Sequence, residues 1–261
     1  MVGQRRQMQI QLLRHATLVI EVGGRRLMVD PMLGARENAD PIPNTPNQVR
    51  NPMVKLPYDD GTLLQLIASL DGVIVTHLHS DHWDRRAVEL LPKSLPLLCQ
   101  PGNEERLQSD GFHDVTPIAD SLGWKGITLT RTGGQHGTGE IGERMGTVSG
   151  FVLQADDEPV LYIAGDTIWC ADVEAALAAY QPDVIVVNSG AAQFLVGDPI
   201  TMTSADVFEV CRAAPDSAVI AVHMDSINHC LLTRRALSTA AEEAGFSDQL
   251  RIPTNGEVLA Y

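Results

Sequence analysis

The sequence predicts an α/β domain in which two sheets pack together with helices on the outside. Three observations carry this. The first 29 residues read as strands joined by tight turns, apolar strand-like runs alternate with helical ones from residue 63 onward, and further strands open the second half of the chain. A simple doubly wound sheet would leave the opening hairpins without a place. No composition shift resembling a linker divides the 261 residues, a length one large α/β domain often reaches. The expectation is one domain, 1–261, with a proline-rich excursion at 31–57.

In order, "MQIQLLRH", "ATLVIEV" and "RRLMVD" are strands, the last two joined by the turn Gly23-Gly24. Residues 31–57 then carry six of the 15 prolines. Such a stretch is too long for a plain connector and predicts a lid, an interface or a site wall. "LLQLIASL" is a helix, "GVIVT" a buried strand, and "DRRAVELL" a helix closed by Pro92. "LPLLC" is a strand, "NEERLQSD" a helix ended by Gly111, and "ITLTRT" a strand. "TVSGFVLQA" and "PVLYIAG" are strands joined by the acidic turn "DDE". Helices are expected near 173–180, 204–212 and 234–243, strands at "VIVV" and "AVIAV", and the chain closes on "RIP" and "EVLAY".

Formal net charge is -14, from 33 acidic and 19 basic residues, which disfavours nucleic acid or an anionic membrane as partner. A small anionic substrate stays open, because bound cations can reverse the field locally. Four scattered cysteines form no CxxC pair or disulfide framework and read as reduced thiols. Two arginines near the N-terminus precede no apolar leader, and no run approaches a membrane span. A cytoplasmic protein is expected.

The stretch "VIVTHLHSDHWD" places His77, His79, Asp81 and His82 within six positions directly after an apolar run. Buried without partners, these groups would cost desolvation free energy; around a metal ion they are ligands. Imidazole and carboxylate together suit zinc, manganese or iron, and the lack of nearby cysteine disfavours a closed structural zinc site. On a loop leaving a strand, His77 and His79 can converge on one ion while Asp81 and His82 face another. His136, Asp166 and His223 each stand where an apolar strand gives way to a loop, the place where α/β folds gather site residues. Taken singly, Asp166 reads as a turn or helix cap and His136 as a loop residue. The repetition of the pattern raises all three.

In this order the residues resemble the metal motifs of the metallo-β-lactamase superfamily: HxHxDH, a lone His136, "GDT" at Asp166, then His223. The opening "RHATLVIEVGGRRLMVDPML" is similar to the branch holding L-ascorbate-6-phosphate lactonases and related metal-dependent hydrolases. The resemblance implies an αββα sandwich of two mixed sheets with the site at one edge. It implies two divalent ions, Zn or Mn with Fe as a further option. His77, His79 and His136 would hold the first, Asp81, His82 and His223 the second, and Asp166 both. A water shared by two such ions has its pKa lowered toward ~7 and becomes a nucleophile, with Asp81 orienting it.

Other residues read less sharply. His229 is a candidate catalytic proton donor or substrate contact, or else a helix-start histidine. His15 supports the site from behind or is structural, Trp83 packs, and His113 is a surface residue. "SGAAQF" and Thr201 are loop, or a substrate wall. The expected activity is hydrolysis of a small ester-like substrate, a lactone or sugar-phosphate lactone. The alternatives are a phosphodiesterase on a cyclic nucleotide or small diester, and a metal-binding sensor without turnover. RNA processing is disfavoured by the charge, and the lactonase resemblance suggests self-association, with the excursion as either its interface or a pocket wall.

Overall fold

The computed structural model describes residues 7–261; the segment 1–6, with the two arginines discussed above, lies outside the described residues. Strands β1 (Gln9–Arg14), β2 (Thr17–Val22) and β3 (Arg25–Val29) form an antiparallel meander. Helical crossovers then add parallel strands to its edge. These are α1 (Asp60–Ala68), β4 (Gly72–Val75), α2 (Arg85–Leu90), β5 (Leu97–Cys99), α3 (Glu104–Ser109) and β6 (Val115–Pro117).

The second half repeats this plan. Antiparallel strands β7 (Ser121–Trp124), β8 (Ile127–Thr132), β9 (Gly150–Ala155) and β10 (Leu161–Ile163) come first, with α4 (Gly139–Met145) between β8 and β9. Parallel additions follow: α5 (Ala171–Tyr180), β11 (Val184–Asn188), α6 (Ser204–Ala213), β12 (Ala218–Val222), α7 (Arg234–Ala244) and β13 (Leu250–Arg251). The last strand, β14 (Val258–Ala260), returns to pair with β1. Two seven-stranded mixed sheets result, ordered β14-β1-β2-β3-β4-β5-β6 and β13-β12-β11-β10-β9-β8-β7.

Side-chain alternation along the strands builds the layers. On β12, Ile220 and Val222 enter the core between the sheets, beside Ile20, Leu27 and Phe151, while Val219 and Ala221 face α5, α6 and α7. On β4, Ile74 joins the central core, whereas Val73 and Val75 pack under α1 and α2 with Leu63 and Ala87. Each aliphatic side chain so buried contributes roughly 1.5–3 kcal/mol. Helices therefore cover the outer face of both sheets, giving the expected αββα sandwich. Among the described residues no helix is long and apolar enough to cross a membrane.

The pattern did not announce β6, β7 or α4. β6 and β7 are short edge strands, and β6 ends in Pro117, which cannot donate to a ladder. α4 buries no side chain and contains Gly139 and Gly142, so it has no apolar stripe to read.

The excursion at 31–57 forms no helix or strand beyond the bridge between Ala39 and Asn51. Two buried side chains pin it: Arg14 donates to the Met32, Gly34 and Val54 carbonyls, and Asn228 holds its middle. Asn228 Oδ1 accepts from the Ile42 amide and from Asn51 Nδ2, at 2.9 and 2.8 Å. Its Nδ2 donates to Thr45 Oγ1 and the Asn47 carbonyl, at 2.6 and 2.8 Å. The excursion is thereby fastened to the loop that follows β12.

Candidate metal centre

Every residue singled out as a ligand lies at the same edge of the sandwich. His77, His79, Asp81 and His82 occupy the loop after β4, His136 the loop after β8, Asp166 the loop after β10, and His223 follows β12. All are buried except His79, which is half-buried. Two glycines permit the close approach. A Cβ at Gly165, which has φ +70°, would stand 2.6 Å from the Ser149 carbonyl oxygen, and one at Gly190 would stand 2.3 Å from that of His223. Three other residues at this edge, His15, Asp30 and His223, have φ values of 60°, 44° and 70°, left-handed backbone that side chains adopt only where the surroundings enforce it.

The donor atoms converge. His77 Nε2 is 3.0 Å from His79 Nδ1, and these two residues with His136 make one group of ligand atoms mutually within 4.8 Å. His82 Nε2 is 3.2 Å from His223 Nε2, and both group with Asp81 and His15. Asp166 lies between: its Oδ2 is 3.2 Å from His82 Nε2, 3.5 Å from His136 Nε2 and 3.9 Å from His77 Nε2, while Oδ1 is 3.3 Å from His223 Nε2.

The surrounding groups settle which nitrogens carry protons. His136 Nδ1 donates to the Ile200 carbonyl at 2.7 Å, and His82 Nδ1 donates to Asp30 Oδ2 at 2.8 Å. Thr76 Oγ1 donates to Asp30 Oδ2 at 2.6 Å, so at 3.1 Å from His77 Nδ1 it accepts that nitrogen's proton. The Nε2 atoms of His77, His82 and His136 are thus left as bare lone pairs aimed at one another and at two carboxylates. A divalent cation relieves such a gathering of lone pairs, and a nitrogen-oxygen donor set suits Zn, Mn or Fe. The residues fit divalent metal.

The carboxylates draw positive charge into this cluster, and without an ion His82 supplies it by holding a proton. Burial disfavours charge at His82, but Asp166, Asp30 and Asp81 outweigh it and hold the ring well above the usual imidazole range. Burial likewise opposes charge on Asp81 and Asp166, yet the histidines around them hold both well below the usual carboxylate range. His77, His136 and His15 are pushed down chiefly by burial.

The remaining candidates sort clearly. His15 is buried and donates from Nε2 to Asp81 Oδ2 at 3.1 Å, its ring lying 3.6 Å from that of His223, so it supports the centre directly. His229 sits in the loop after β12 rather than at a helix start. It is buried, its Nδ1 has no hydrogen-bond partner, and Phe194 lies 6.0 Å away. Burial takes His229 down to about 4. Trp83 packs in the core under α2 and donates from Nε1 to Asp110, and His113 is exposed. Thr201 Oγ1 accepts from the Ala192 amide and braces the "SGAAQF" loop. Sequence reasoning missed Asp30, Thr76 and Asn188. The last donates from Nδ2 to Asp166 Oδ1 at 2.6 Å. Each stands at the end of an apolar strand, which is the signal that could have found them.

A two-sheet sandwich with this cluster at its edge defines a metal-dependent hydrolase. The chain belongs to the β-lactamase superfamily domain family, whose model matches residues 25–224. It is 37% identical over 257 residues to the UPF0173 protein YddR of Bacillus subtilis (strain 168), covering 97% of this chain and 100% of that one. An isothiocyanate hydrolase from Delia radicum gut bacteria has the same fold with a TM-score of 0.91 at 35% identity, over 97% of this chain and 99% of that one. A possible metal-dependent hydrolase from Veillonella parvula DSM 2008 matches with a TM-score of 0.93, 35% identity and the same coverage.

Proposed function

We propose that this chain, acting as one catalytic unit, is a dinuclear hydrolase that adds water to a small, uncharged electrophilic carbon, with an isothiocyanate as the leading substrate class. The observation carrying this reading is the apolar wall beside the donors. Met32, Ala192, Ile200, Ile227 and Cys230 form one buried cluster, with Ile42 and Phe194 packed on it. Ile200 holds His136 through its carbonyl, and Cys230 Sγ lies 3.5 Å from His223 Nδ1. This cluster backs the donors with hydrocarbon, and Met32, Ile42 and Ile227 reach from it into the adjoining cavity, which suits a neutral group better than a sugar phosphate. The likeness to an isothiocyanate hydrolase supports the same class.

His77, His79 and His136 hold one ion in this reading; Asp81, His82 and His223 hold the other; Asp166 serves both. Bound there, two divalent ions activate water and polarise the carbon under attack. The chain's own contributions are positional. Asp81, fixed by His15, orients the water, and Asn188 fixes Asp166. His229, buried beside the centre, is the candidate proton donor to the substrate nitrogen. One water added to R–N=C=S gives R–NH2 and carbonyl sulfide: the C–N bond breaks, both protons of water end on nitrogen, and its oxygen ends on carbon.

A lactone is the second reading. The opening segment that resembles the lactonase branch supplies His15 and Asp30, both of which contact the centre. A cytoplasmic location and self-association belong to this reading as well. The test is turnover by protein loaded with zinc or manganese, comparing phenethyl isothiocyanate, a γ-lactone and bis(p-nitrophenyl) phosphate. Preference for the first supports the proposal, and preference for the lactone transfers it to the second reading. Preference for the diester makes the protein a phosphodiesterase. Metal bound without turnover makes it a sensor. His77→Ala and Asp166→Ala are each expected to abolish turnover while circular dichroism stays that of the folded protein.

A further inference from the structure

A cavity of about 540 Å³ opens beside the centre, with Asp81 in its wall. Its apolar surface comes from Ala39, Ile42 and Pro52 of the excursion and from Trp83, Val88 and Ile227, interleaved with polar and charged residues of both sides. Ile42 and Ile227 belong to the apolar cluster that touches His136 and His223, so the cavity and the metal donors share one continuous wall. Its charged residues are already matched. Arg85 pairs with Glu89 at 3.0 Å, and Arg106 with Asp110 at 3.2 Å. Arg86 lies 3.5 Å from Glu89, and Asp40 pairs with Arg50. Asp84 caps α2 and accepts from the Gly34 amide at 2.6 Å. These pairs are exposed and weak. The lining nevertheless carries four carboxylates, Asp40, Asp81, Asp84 and Asp110, against three arginines, so an anionic group gains no net attraction. A hydrocarbon group instead covers Ala39, Ile42 and Val88, which are wholly or partly open to water.

We infer that this cavity binds the organic group of the substrate, and that it selects an uncharged, apolar chain. The inference rests on the hydrolase reading above for the reaction, but it can be tested separately. Ala39 is exposed, and its bridge to Asn51 uses only backbone, so Ala39→Phe fills the cavity without disturbing the fold. The probe for binding is N-hexylurea against its anionic counterpart 6-ureidohexanoate, read by calorimetry and by quenching of Trp83 in the cavity wall. N-hexylurea is expected to bind saturably, the anion at least about tenfold more weakly, and Ala39→Phe to lose the binding, since each buried methylene is worth about fourfold. In turnover, kcat/KM is expected to climb from methyl to hexyl isothiocyanate in the parent and to stay flat in Ala39→Phe. Ile42→Lys is expected to favour the anionic probe. Binding of N-hexylurea that Ala39→Phe abolishes, together with no isothiocyanate turnover, upholds the cavity and sinks the reaction reading. Equal binding in parent and Ala39→Phe, or turnover indifferent to chain length, overturns the cavity assignment.

Discussion

Asp30 takes three hydrogen bonds on two oxygens, from the Thr76 amide, the Thr76 hydroxyl and His82 Nδ1. It therefore orients His82 directly and His77 through Thr76. Asparagine tolerates its left-handed backbone but turns one acceptor into a donor. Asp30→Asn is expected to weaken metal binding by about 10–100-fold, measured by competition with a chelator of known affinity. Unchanged affinity would remove Asp30 from the centre. His229 gives a pH prediction for metal-free protein. Its ordinary value of 6.5 falls to about 4 on folding, so between these values the unfolded chain binds a proton that the folded one does not. Stability therefore drops as pH falls through that window, by up to roughly 3 kcal/mol. The depressed Asp81 and Asp166 extend the loss to lower pH. The raised His82 acts with the opposite sign, its contribution vanishing as pH rises through its folded value. The urea midpoint of His229→Gln is expected to vary less steeply from pH 6.5 to 4, and an unaltered slope would refute this.

At the scale of elements, the excursion is held by the side chains of Arg14 and Asn228 more than by packing of its own. Asn228→Ala strands several buried partners of this one segment, at a cost of roughly 1–3 kcal/mol. Trypsin cleavage after Arg50, now protected by the neighbouring bridge of Asn51, is expected to accelerate well ahead of global unfolding. Equal cleavage rates would show that the excursion is secured elsewhere. The same contrast explains what could be read from the chain. β4, β11 and β12 are continuous apolar runs, and β2 and β3 flank a Gly-Gly turn, so hydrophobic pattern and turn chemistry announce them. The proposed ligands were legible because imidazole is scarce and its spacing on one loop is chemical. Asn228 was not, because its importance lies in partners up to 186 residues away that no local pattern records. Asp30 and Asn188 carried only the weak signal of ending an apolar strand.

Across the whole molecule, the centre draws on both sheets. His77, His79, Asp81 and His82 come from the first, and His136, Asp166 and His223 from the second. Bound metal must then stabilise the packing of one sheet on the other. Stripping it with a chelator is expected to lower Tm, and saturating zinc or manganese at about 100 times Kd to restore about 2.7 kcal/mol. A Tm indifferent to chelation would contradict this. The turn between β6 and β7 divides the chain into two polypeptide halves, each holding an incomplete set of donors, with β14 as the strap that crosses back. Neither half can present Asp166 to His77 and His82 alone. The proposed centre would thus work as a coincidence detector for assembly: a nascent, misdocked or severed chain lacks it, and its donors gather only once the two sheets have met.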